Sequence, residues 1–490
     1  MKKLFSMMGA LMALALAGCL PKERIWWSPD GSQALVTLGD GLHLAKSDGS
    51  APVKLALDVG KGDDPDSQMS WLPDGSGFVT NRVLSFSTWE AAKAKLPADE
   101  ASEVERLARS IPLIVAAWNA AHAQEADGDS SSSVTDWLPI KNKELLGAAI
   151  FLAHATQRDA LEAELLKSPK GKEVVDGLRD EKVEFSVHEI SVVKIKDGKV
   201  EGEPRSLARS LRGLIQPKVS PLGKLVAFHH IEPEGESAKL VVAMLDGSAR
   251  LDVAHETSGA FDWTTDGRAL VYTAPVMSKE NNMLQRIQRI EVTKSDGSLR
   301  SERTGEEKNP DELQGSVNLA LALMPTSPRV VALPDGRVLF ASQPVSFPAK
   351  GEGLEVALQL FTVTADGKTL TPVPTAPGDL PANLGWFTAS PDGRKVAVVE
   401  SDTDAVAVVE IDSGKTEIIS PVHPDWQCRT MPSWKSATEL TFAALKDGAP
   451  KWMLWKQGEG VRSISDTWPA EATKKWLEEK KKEQPAEKTP

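Results

Sequence analysis

Short apolar segments alternate with tight-turn residues along most of the chain, which is the pattern of antiparallel β-strands. One motif recurs, in which a hydrophobic strand end is followed by Ser/Pro/Asp/Gly and then by another apolar strand. Proline presets φ, aspartate bonds its own backbone and glycine accepts a positive φ, so each copy predicts a β-hairpin. The seven copies are Trp27-Ser28-Pro29-Asp30-Gly31, Trp71-Leu72-Pro73-Asp74-Gly75, Val219-Ser220-Pro221-Leu222-Gly223, Trp263-Thr264-Thr265-Asp266-Gly267, Ala332-Leu333-Pro334-Asp335-Gly336, Ala389-Ser390-Pro391-Asp392-Gly393 and the degenerate Ser433-Trp434-Lys435-Ser436-Ala437.

A second turn follows each copy after one further apolar strand. These turns are Asp48-Gly49, Asp197-Gly198, Asp246-Gly247, Asp296-Gly297, Asp366-Gly367, Ser413-Gly414 and Gln457-Gly458. Two hairpins make four antiparallel strands, which is one propeller blade. The sequence therefore predicts an all-β fold, a seven-bladed β-propeller of four-stranded antiparallel blades. The alternative, a β-sandwich or several small β domains, explains neither the alternation of the two turns nor their number.

The Trp-Ser-Pro-Asp-Gly pattern resembles the TolB-type, WD-repeat-like propeller repeats of bacterial envelopes. The resemblance covers residues 24–467 apart from one insertion, and four copies carry an intact Pro-Asp-Gly. It implies the propeller fold and leaves the function open, because such propellers serve many roles.

The spacing of the two turns reveals where the chain departs from the repeat. From Gly75 to Gly198 the chain runs 123 residues, against 18 to 31 in the other units. Both tight turns lie at one end of a four-stranded meander, so the excess length is expected at the opposite end. Longer connections are predicted there in blades 4 and 5 as well, at 275–282, 301–324 and 343–353. Long loops gathered on one face predict a binding face, and the alternative is that insertions are merely tolerated there.

The insertion, residues 88–181, has helical spacing of apolar residues. Two segments carry it: Glu103, Leu107, Ile111, Ile114 and Trp118, then Leu145, Ile150, Leu152, Leu161, Leu165 and Leu166. We expect Pro97 and Pro112 to limit the first region, residues 130–133 to form a flexible joint, and Pro169 to close the second. The apolar helix faces must be buried on each other, on the propeller or on a partner.

The first residues predict an export signal. Lys2 and Lys3 precede an apolar run from Leu4 to Leu16, and Leu16-Ala17-Gly18-Cys19 follows. This ending resembles the lipobox of bacterial lipoproteins, which implies cleavage before Cys19 and a lipid on its thiol. The alternative is an ordinary signal peptide with a chance cysteine. Leu20 after the cysteine implies the outer membrane, facing the periplasm, if the host has two membranes.

These patterns divide the chain into a signal peptide (1–19), blade 1 with half of blade 2 (20–87), the helical insertion (88–181), the remaining propeller (182–467) and a charged helical or disordered tail (468–490). Cys428 is the second of two cysteines, so the exported chain is expected to have no intramolecular disulfide and Cys428 to be buried. A net charge of −12 argues against nucleic acid as a partner.

The sequence contains no recognisable motif for nucleophilic catalysis or metal binding. It contains no Gly-x-Ser-x-Gly, and none of its eight histidines forms His-x-His or His-Glu-x-x-His. His229 and His230 are adjacent on a strand and should face opposite ways. The acidic clusters at 63–66 and 127–129 lack the order of a calcium loop. The tryptophans near the first turn are expected in the blade core, with a sugar-binding platform as the alternative; they are Trp27, Trp71, Trp263, Trp386 and Trp434.

We therefore assign Cys19 as the lipidation site and no catalytic, cofactor-binding or metal-binding residue. The sequence favours a non-catalytic, lipid-anchored envelope propeller. It would bind a protein or another envelope ligand through the face that carries the insertion and the blade 4–5 loops. The alternative is an envelope enzyme, glycosidase- or lyase-like, with its site at the central channel.

Overall fold

The structure is a computed structural model. It describes residues 25–38, 41–48, 50–57, 68–121, 142–167, 169–180, 184–232, 237–277, 283–303, 313–323, 329–342, 359–375, 384–400, 405–420, 426–428, 431–446 and 449–465. The described strands form seven antiparallel sheets; in five of them neighbouring strands pair in sequence order, and the sheets of blades 2 and 7 each contain one additional strand. The predicted seven-bladed β-propeller is confirmed.

The first four blades contain β1 to β17. Blade 1 comprises β1 (Ile25–Trp27), β2 (Gln33–Leu38), β3 (Gly41–Lys46) and β4 (Val53–Lys54). Blade 2 comprises β5 (Met69–Trp71), β6 (Gly77–Phe86), β7 (Phe185–Lys196), β8 (Lys199–Val200) and β9 (Arg205–Ser210). Blade 3 comprises β10 (Leu214–Val219), β11 (Leu225–Ile231), β12 (Ala238–Met244) and β13 (Arg250–Thr257). Blade 4 comprises β14 (Phe261–Trp263), β15 (Ala269–Met277), β16 (Met283–Glu291) and β17 (Val317–Ala322).

The other three blades contain β18 to β30. Blade 5 comprises β18 (Val330–Ala332), β19 (Val338–Ser342), β20 (Gln359–Val363) and β21 (Leu370–Pro372). Blade 6 comprises β22 (Leu384–Ala389), β23 (Lys395–Glu400), β24 (Val406–Glu410) and β25 (Thr416–Ile418). Blade 7 comprises β26 (Trp426–Cys428), β27 (Ser433–Ser436), β28 (Glu439–Lys446), β29 (Ala449–Lys456) and β30 (Gly460–Ser463).

Two blades hold five strands in four positions. In blade 2 both β8 and β9 pair with β7, so together they form the outer position. In blade 7 both β26 and β27 pair with β28, so the innermost position is divided. First strands of neighbouring blades contact each other, which places them around the axis.

The hydrophobic core lies between the blades. Seven apolar clusters are described between consecutive blades, one for each interface of the ring. The cluster that closes the ring joins Ile25, Ala34 and Val36 of blade 1 to Ala443 and Trp452 of blade 7. Among the described strands no sheet combines the two ends of the propeller, so the described closure consists of side-chain packing.

The first turn of a blade is held by its own side chains. In blade 1 the Asp30 carboxylate accepts from the Ser28 hydroxyl at 2.6 Å and from the Ser32 backbone N–H at 3.0 Å. These hydrogen bonds favour the charged form and lower the pKa of Asp30. The same arrangement recurs at Asp266 and Asp392. The Ser/Thr-x-Asp-Gly pattern thus specifies the hairpin locally.

Tryptophan at the end of the first strand links its blade to the preceding one. The indole N–H groups of Trp71, Trp263 and Trp434 donate to backbone carbonyls of Trp26, Lys218 and Thr388, at 2.8 to 3.0 Å. Trp27 continues the series across the closure by donating to the Thr441 hydroxyl of blade 7 at 2.9 Å. The expectation that these four tryptophans serve the core is confirmed, and the side chain of Trp386 lies outside the described residues.

The turn glycines also lie on the preceding blade. Gly31 has φ of 67°, and a Cβ there would be 2.8 Å from the Lys435 carbonyl oxygen of blade 7. The first-turn glycines of blades 3, 4 and 6 contact their preceding blades in the same direction, at Pro73, Leu222 and Pro334. Glycine is thus required both for its φ and for the space it leaves.

Five helices are described between β6 and β7, where the insertion was predicted. They are α1 (Trp89–Lys93), α2 (Ala98–Ala121), α3 (Lys143–Thr156), α4 (Arg158–Leu165) and α5 (Pro169–Asp180). Residues 130–133 lie outside the described part. None of the described helices is long and apolar enough to cross a membrane. The boundaries 88–181 stay a prediction, but the helices pack on each other and on the β6–β7 hairpin through Trp89, Phe185 and Val187.

Pro97 precedes α2 and Pro169 follows the end of α4 at Leu165, as expected, although Pro169 also begins α5. Pro112 was interpreted wrongly, because it lies inside α2. Proline has no N–H for the carbonyl four residues earlier. In its place the Gln157 side chain donates to the Ala108 carbonyl at 3.1 Å, so a tertiary contact supplies the missing hydrogen bond.

The interpretation of 301–324 as a plain connection was also wrong, because it contains β17, the fourth strand of blade 4. The extra chain before β17 also starts and ends at the tight-turn end and not at the predicted opposite end, because Ala269 pairs with Glu291 and Arg289 with Val317. The turn at Gly297 closes only a short excursion, with a bridge between Thr293 and Leu299. Arg303 then donates to the Asp252 carbonyl of blade 3 before the chain returns to pair with β16.

Alanine substitution of two first-turn glycines should separate backbone strain from blade packing. Gly75 has φ of 70° and no atom within 4 Å of an added Cβ, whereas Gly31 abuts Lys435. We expect Gly75→Ala to lower the free energy of unfolding by about 1–2 kcal/mol, the cost of a left-handed L-residue. Gly31→Ala should cost clearly more, because it also separates blades 1 and 7. Urea unfolding of both variants measures this, and equal losses would refute the proposed closure contact.

Candidate functional site

The end of the blades opposite the tight turns carries the inserted chain, and we name it the insertion rim. It comprises helices α1–α5 on blade 2, the end of β11 at Ile231 on blade 3, and the ends of β15 and β17 at Met277 and Ala322 on blade 4. The helical part of the predicted elaboration is thus on the expected face. The loops at 278–282 and 343–353 lie outside the described residues.

A buried polar network fastens the insertion to blades 2 and 3. The Glu100 carboxylate of α2 accepts from the Ser210 hydroxyl at 2.8 Å and from the Leu211 backbone N–H at 3.1 Å. Arg212 forms an ion pair with the same oxygen at 3.4 Å. Glu100 is only 4% exposed, so its charge requires these partners. The insertion is therefore held to the propeller by a specific contact.

His230 extends this network into blade 3. Arg250 lies 3.1 Å from Nδ1 of His230, and an arginine only donates, so the ring hydrogen is assigned to Nε2. Nε2 lies 3.0 Å from Ser210 Oγ and donates to it. Burial and the nearby arginines Arg212 and Arg250 lower the pKa of His230 to about 2. The neutral ring joins blades 2 and 3 through Ser210.

Ser210 and His230 have the opposite polarity from a catalytic serine–histidine pair. In such a pair the imidazole accepts the serine proton. Here the Ser210 hydroxyl donates to Glu100, the ring donates to Ser210, and a cation rather than a carboxylate lies behind the ring. Ser210 has no exposed surface. This geometry supports a structural role. We call the network of Glu100, Ser210, Arg212 and His230, which holds the insertion on blades 2 and 3, the latch.

A second buried carboxylate holds the helices together. Glu162 of α4 accepts from His154 of α3 at 3.0 Å and from Arg158 at 2.9 Å. Arg179 of α5 also donates to it. Hydrogen bonds from Arg179, first of all, and from His154 hold the pKa of Glu162 far below its usual range. Three helices are thus joined at one carboxylate.

Blade 3 contributes an ion pair at its own rim. His255 Nδ1 lies 2.7 Å from Glu232 Oε1. The hydrogen bond from His255 lowers the pKa of Glu232 to about 2, and the reciprocal bond raises the pKa of His255. The His255 contribution to stability is present below its ordinary pKa and is lost as pH rises through the raised one. The Glu232 contribution is lost at the acidic end, as pH falls toward 2.

Blade 4 presents an open apolar groove on the same rim. The groove has a volume of about 640 Å³ and is lined by Val276 and Met277 of β15, Leu284 and Arg286 of β16, and residues Asn318 to Leu321 of β17. Met277 and Leu321 are 61% and 62% exposed. Exposed apolar groups gathered around one cation are a binding feature that sequence reasoning missed.

The central channel was the place predicted for an enzyme site. Among the described first strands, Lys218 and Asp262 form an ion pair of 3.1 Å between blades 3 and 4. Lys218 also donates to the Phe261 carbonyl, and Asp262 accepts from the Ala332 backbone N–H of blade 5. Both side chains thus serve blade-to-blade contacts. The described residues contain no group of three or more metal-ligating side chains.

His229 and His230 face opposite ways, as expected. His230 faces Ser210 of blade 2, whereas His229 lies edge-on against Phe261 of blade 4. Burial lowers the pKa of His229 to about 3. Cys19, the acidic clusters at 63–66 and 127–129, the tail 468–490 and the side chain of Cys428 lie outside what the structure describes, so their roles stay predictions.

No family model and no curated protein matches the chain. Similar solved structures include TolB from Acinetobacter baumannii, at 17% identity and a TM-score of 0.35, over 56% of this chain and 58% of that one. Hydrazine synthase from Kuenenia stuttgartiensis matches at 14% and 0.40, over 57% and 41%. The β-propeller domain of the trilobed protease from Pyrococcus furiosus, titled as revealing an open velcro topology, matches at 14% and 0.38, over 58% and 76%.

The chain thus spans 58% of the length of that TolB and 41% of that of the hydrazine synthase. TolB was the family that the repeat motif resembled, and the likeness concerns the fold alone. Identities and TM-scores this low indicate no activity for the chain. The seven-bladed propeller is established by the seven sheets themselves.

Loss of the Glu100 charge should loosen the insertion. Glu100→Gln keeps an acceptor oxygen but removes the charge that pairs with Arg212 and strengthens the bonds from Ser210 and Leu211, which should destabilise that contact by about 1–3 kcal/mol. Amide hydrogen exchange in α2 should then accelerate relative to β11. Glu103→Gln, on the same helix, is the matched control and should change little. Unchanged exchange in Glu100→Gln would contradict the latch.

Proposed function

We propose that the chain is a non-catalytic, lipid-anchored propeller of the cell envelope that binds a protein or another envelope ligand through the insertion rim. The observation that carries the proposal is a helical insertion latched by buried charges that nevertheless exposes large apolar side chains. Leu113 is 72% exposed on α2, and Leu166 and Val174 are about half exposed. Apolar groups held rigidly in water are typical of interaction surfaces.

The arrangement of the ring supports the choice of face. At the tight-turn end the first turns of blades 1, 3, 4 and 6 lie against the preceding blade, as Gly31 does with Lys435 and Gly223 with Pro73. The insertion rim bears the helices, the Glu232–His255 pair and the groove of blade 4. A partner would therefore meet a surface extending across blades 2 to 4.

Point substitutions on the insertion should abolish partner binding. We expect the double variant Leu113→Lys/Leu166→Lys to recover its specific envelope partner at least tenfold less well than the unmodified chain. Leu370→Lys is the matched control, because Leu370 is 54% exposed but begins β21 directly after a tight turn. Quantitative affinity purification after cross-linking in the host measures both. Equal recovery by the double variant and the control would refute the role of the insertion.

The anchor has a separate test. Cys19→Ser removes the thiol that the lipobox resemblance assigns to the lipid. We expect the variant to move from the membrane fraction to the soluble fraction and to lose the mass of the diacylglyceryl group. A variant that stays with the membrane would disprove anchoring through Cys19.

A further inference from the structure

We propose that the groove of blade 4 binds an extended peptide, with an acidic side chain of the peptide paired to Arg286 and its apolar side chains on Val276, Leu284 and Leu321. This inference deepens the proposed scaffold function and rests on it, since both use the insertion rim. It names a second contact surface, separate from the helices, and the kind of partner segment that fits it.

Arg286 supplies the charge complementarity. Its side chain is half-buried among apolar neighbours, and it makes no ion pair or hydrogen bond within the described chain. On the opposite face of the same strand Arg289 pairs with Glu291, and in blade 2 Arg82 pairs with Glu189. A guanidinium that is partly removed from water gains most from a carboxylate, with which it forms two parallel hydrogen bonds. We therefore expect the ligand to supply the carboxylate that pairs with Arg286.

The edge of β17 supplies a place for a peptide backbone. Edge strands in native proteins are usually blocked by charges or proline. Every other described fourth strand carries one or the other: β4, β8, β9, β13, β21, β25 and β30. The sequence of β17, Val-Asn-Leu-Ala-Leu-Ala, has neither, and among the described strands its one partner is β16. It is thus suited to accept an extended strand.

Part of this edge is already covered. A Cβ at Gly367, in the second turn of blade 5, would lie 2.8 Å from the carbonyl oxygen of Asn318. The stretch from Ala320 to Ala322 remains for the ligand. Backbone pairing over so short a stretch fixes the register, and the side-chain contacts with Leu321, Leu284 and Arg286 supply most of the affinity.

A peptide fits these features better than two other occupants. An acyl chain would leave the backbone groups of β17 unused and would lie in an open groove where water reaches it. A second copy of this chain, paired through its own β17, would bring Val-Asn-Leu-Ala-Leu-Ala and no carboxylate to Arg286. Both remain distinguishable outcomes of the test.

The experiment selects peptides from a displayed library of random dodecapeptides on the full chain in detergent. We expect the enriched sequences to share an acidic residue with apolar residues at alternate positions. A synthetic peptide of the enriched sequence is then titrated against the protein by fluorescence anisotropy. Failure to enrich any such sequence would overturn the proposal.

Two variants and two matched controls locate the binding. Arg286→Gln and Leu321→Lys should each weaken the selected peptide at least tenfold. Arg289→Gln, on the same strand but the opposite face, and Ile418→Lys, equally exposed at 61% on β25, should stay within twofold of the unmodified chain. Replacing the acidic residue of the peptide by its amide should weaken binding to the unmodified chain and have no further effect on Arg286→Gln.

The remaining outcomes decide against the peptide. Equal binding by Arg286→Gln and the unmodified chain overturns the charge pairing. A dimer that Leu321→Lys dissociates and Ile418→Lys leaves intact identifies a second copy as the occupant, and displacement of the peptide by a fatty acid but by no acidic peptide identifies an acyl chain. The insertion variants Leu113→Lys/Leu166→Lys should still bind the peptide, so failure here and failure of the helical surface are told apart.

Discussion

The closure of the ring depends on contacts that run from the first strand and turn of a blade to the preceding blade. Within the described residues no strand is shared between the two ends of the ring, so the closing interface is held by side-chain packing, and this packing repeats in one direction around the axis. Gly31 lies on Lys435 in the closing interface as Gly223 lies on Pro73 within the ring. The indole N–H groups point the same way, from Trp71 to Trp26 and from Trp27 to Thr441. The closure thus repeats the chemistry of the other interfaces.

This constraint explains why the helical insertion lies at the end opposite the first turns. An insertion into the first turn of blade 1, 3, 4 or 6 would separate two blades, because the glycine backbone is itself part of the interface. The β6–β7 connection at the other end accepts the five helices. The excursion of blade 4 joins β16 to β17 at the tight-turn end, where Ala269 pairs with Glu291 and Arg289 with Val317, so extra chain is also accepted there between the two outer strands. The latch at Glu100 then makes the added chain rigid, since a buried carboxylate with three donors has one favourable position.

Most of the fold could be predicted from sequence because its determinants are local. Ser28, Asp30 and Gly31 specify a hairpin within five residues. The number of copies of this turn in the sequence, seven, equals the number of blades. The errors arose where a distant residue decided the outcome. Pro112 continues a helix because Gln157 bonds to Ala108. β17 pairs with β16 only after an excursion of the chain that Arg303 joins to blade 3, and no local motif marks that return.

The candidate surfaces were less predictable for the same reason. Ser210 becomes a partner of Glu100 across 110 residues of chain, and His230 joins through Ser210, a combination that no motif records. One signal was nevertheless present, because Glu100 precedes Val104, Leu107 and Ile111 on the apolar stripe of α2. An acid on a stripe that must be buried needs a partner elsewhere.

Blade 3 gives the two candidate surfaces a fixed spacing. It lies between the helical insertion on blade 2 and the groove on blade 4, and it is joined to the first by His230 and to the second by the Tyr272 and Trp263 core. A partner that contacts the helices therefore holds any attached acidic segment close to Arg286. Binding of the second element then becomes intramolecular, and two weak contacts give a strong and selective one. Rigidity of the blades, rather than depth of any single pocket, is what such recognition requires.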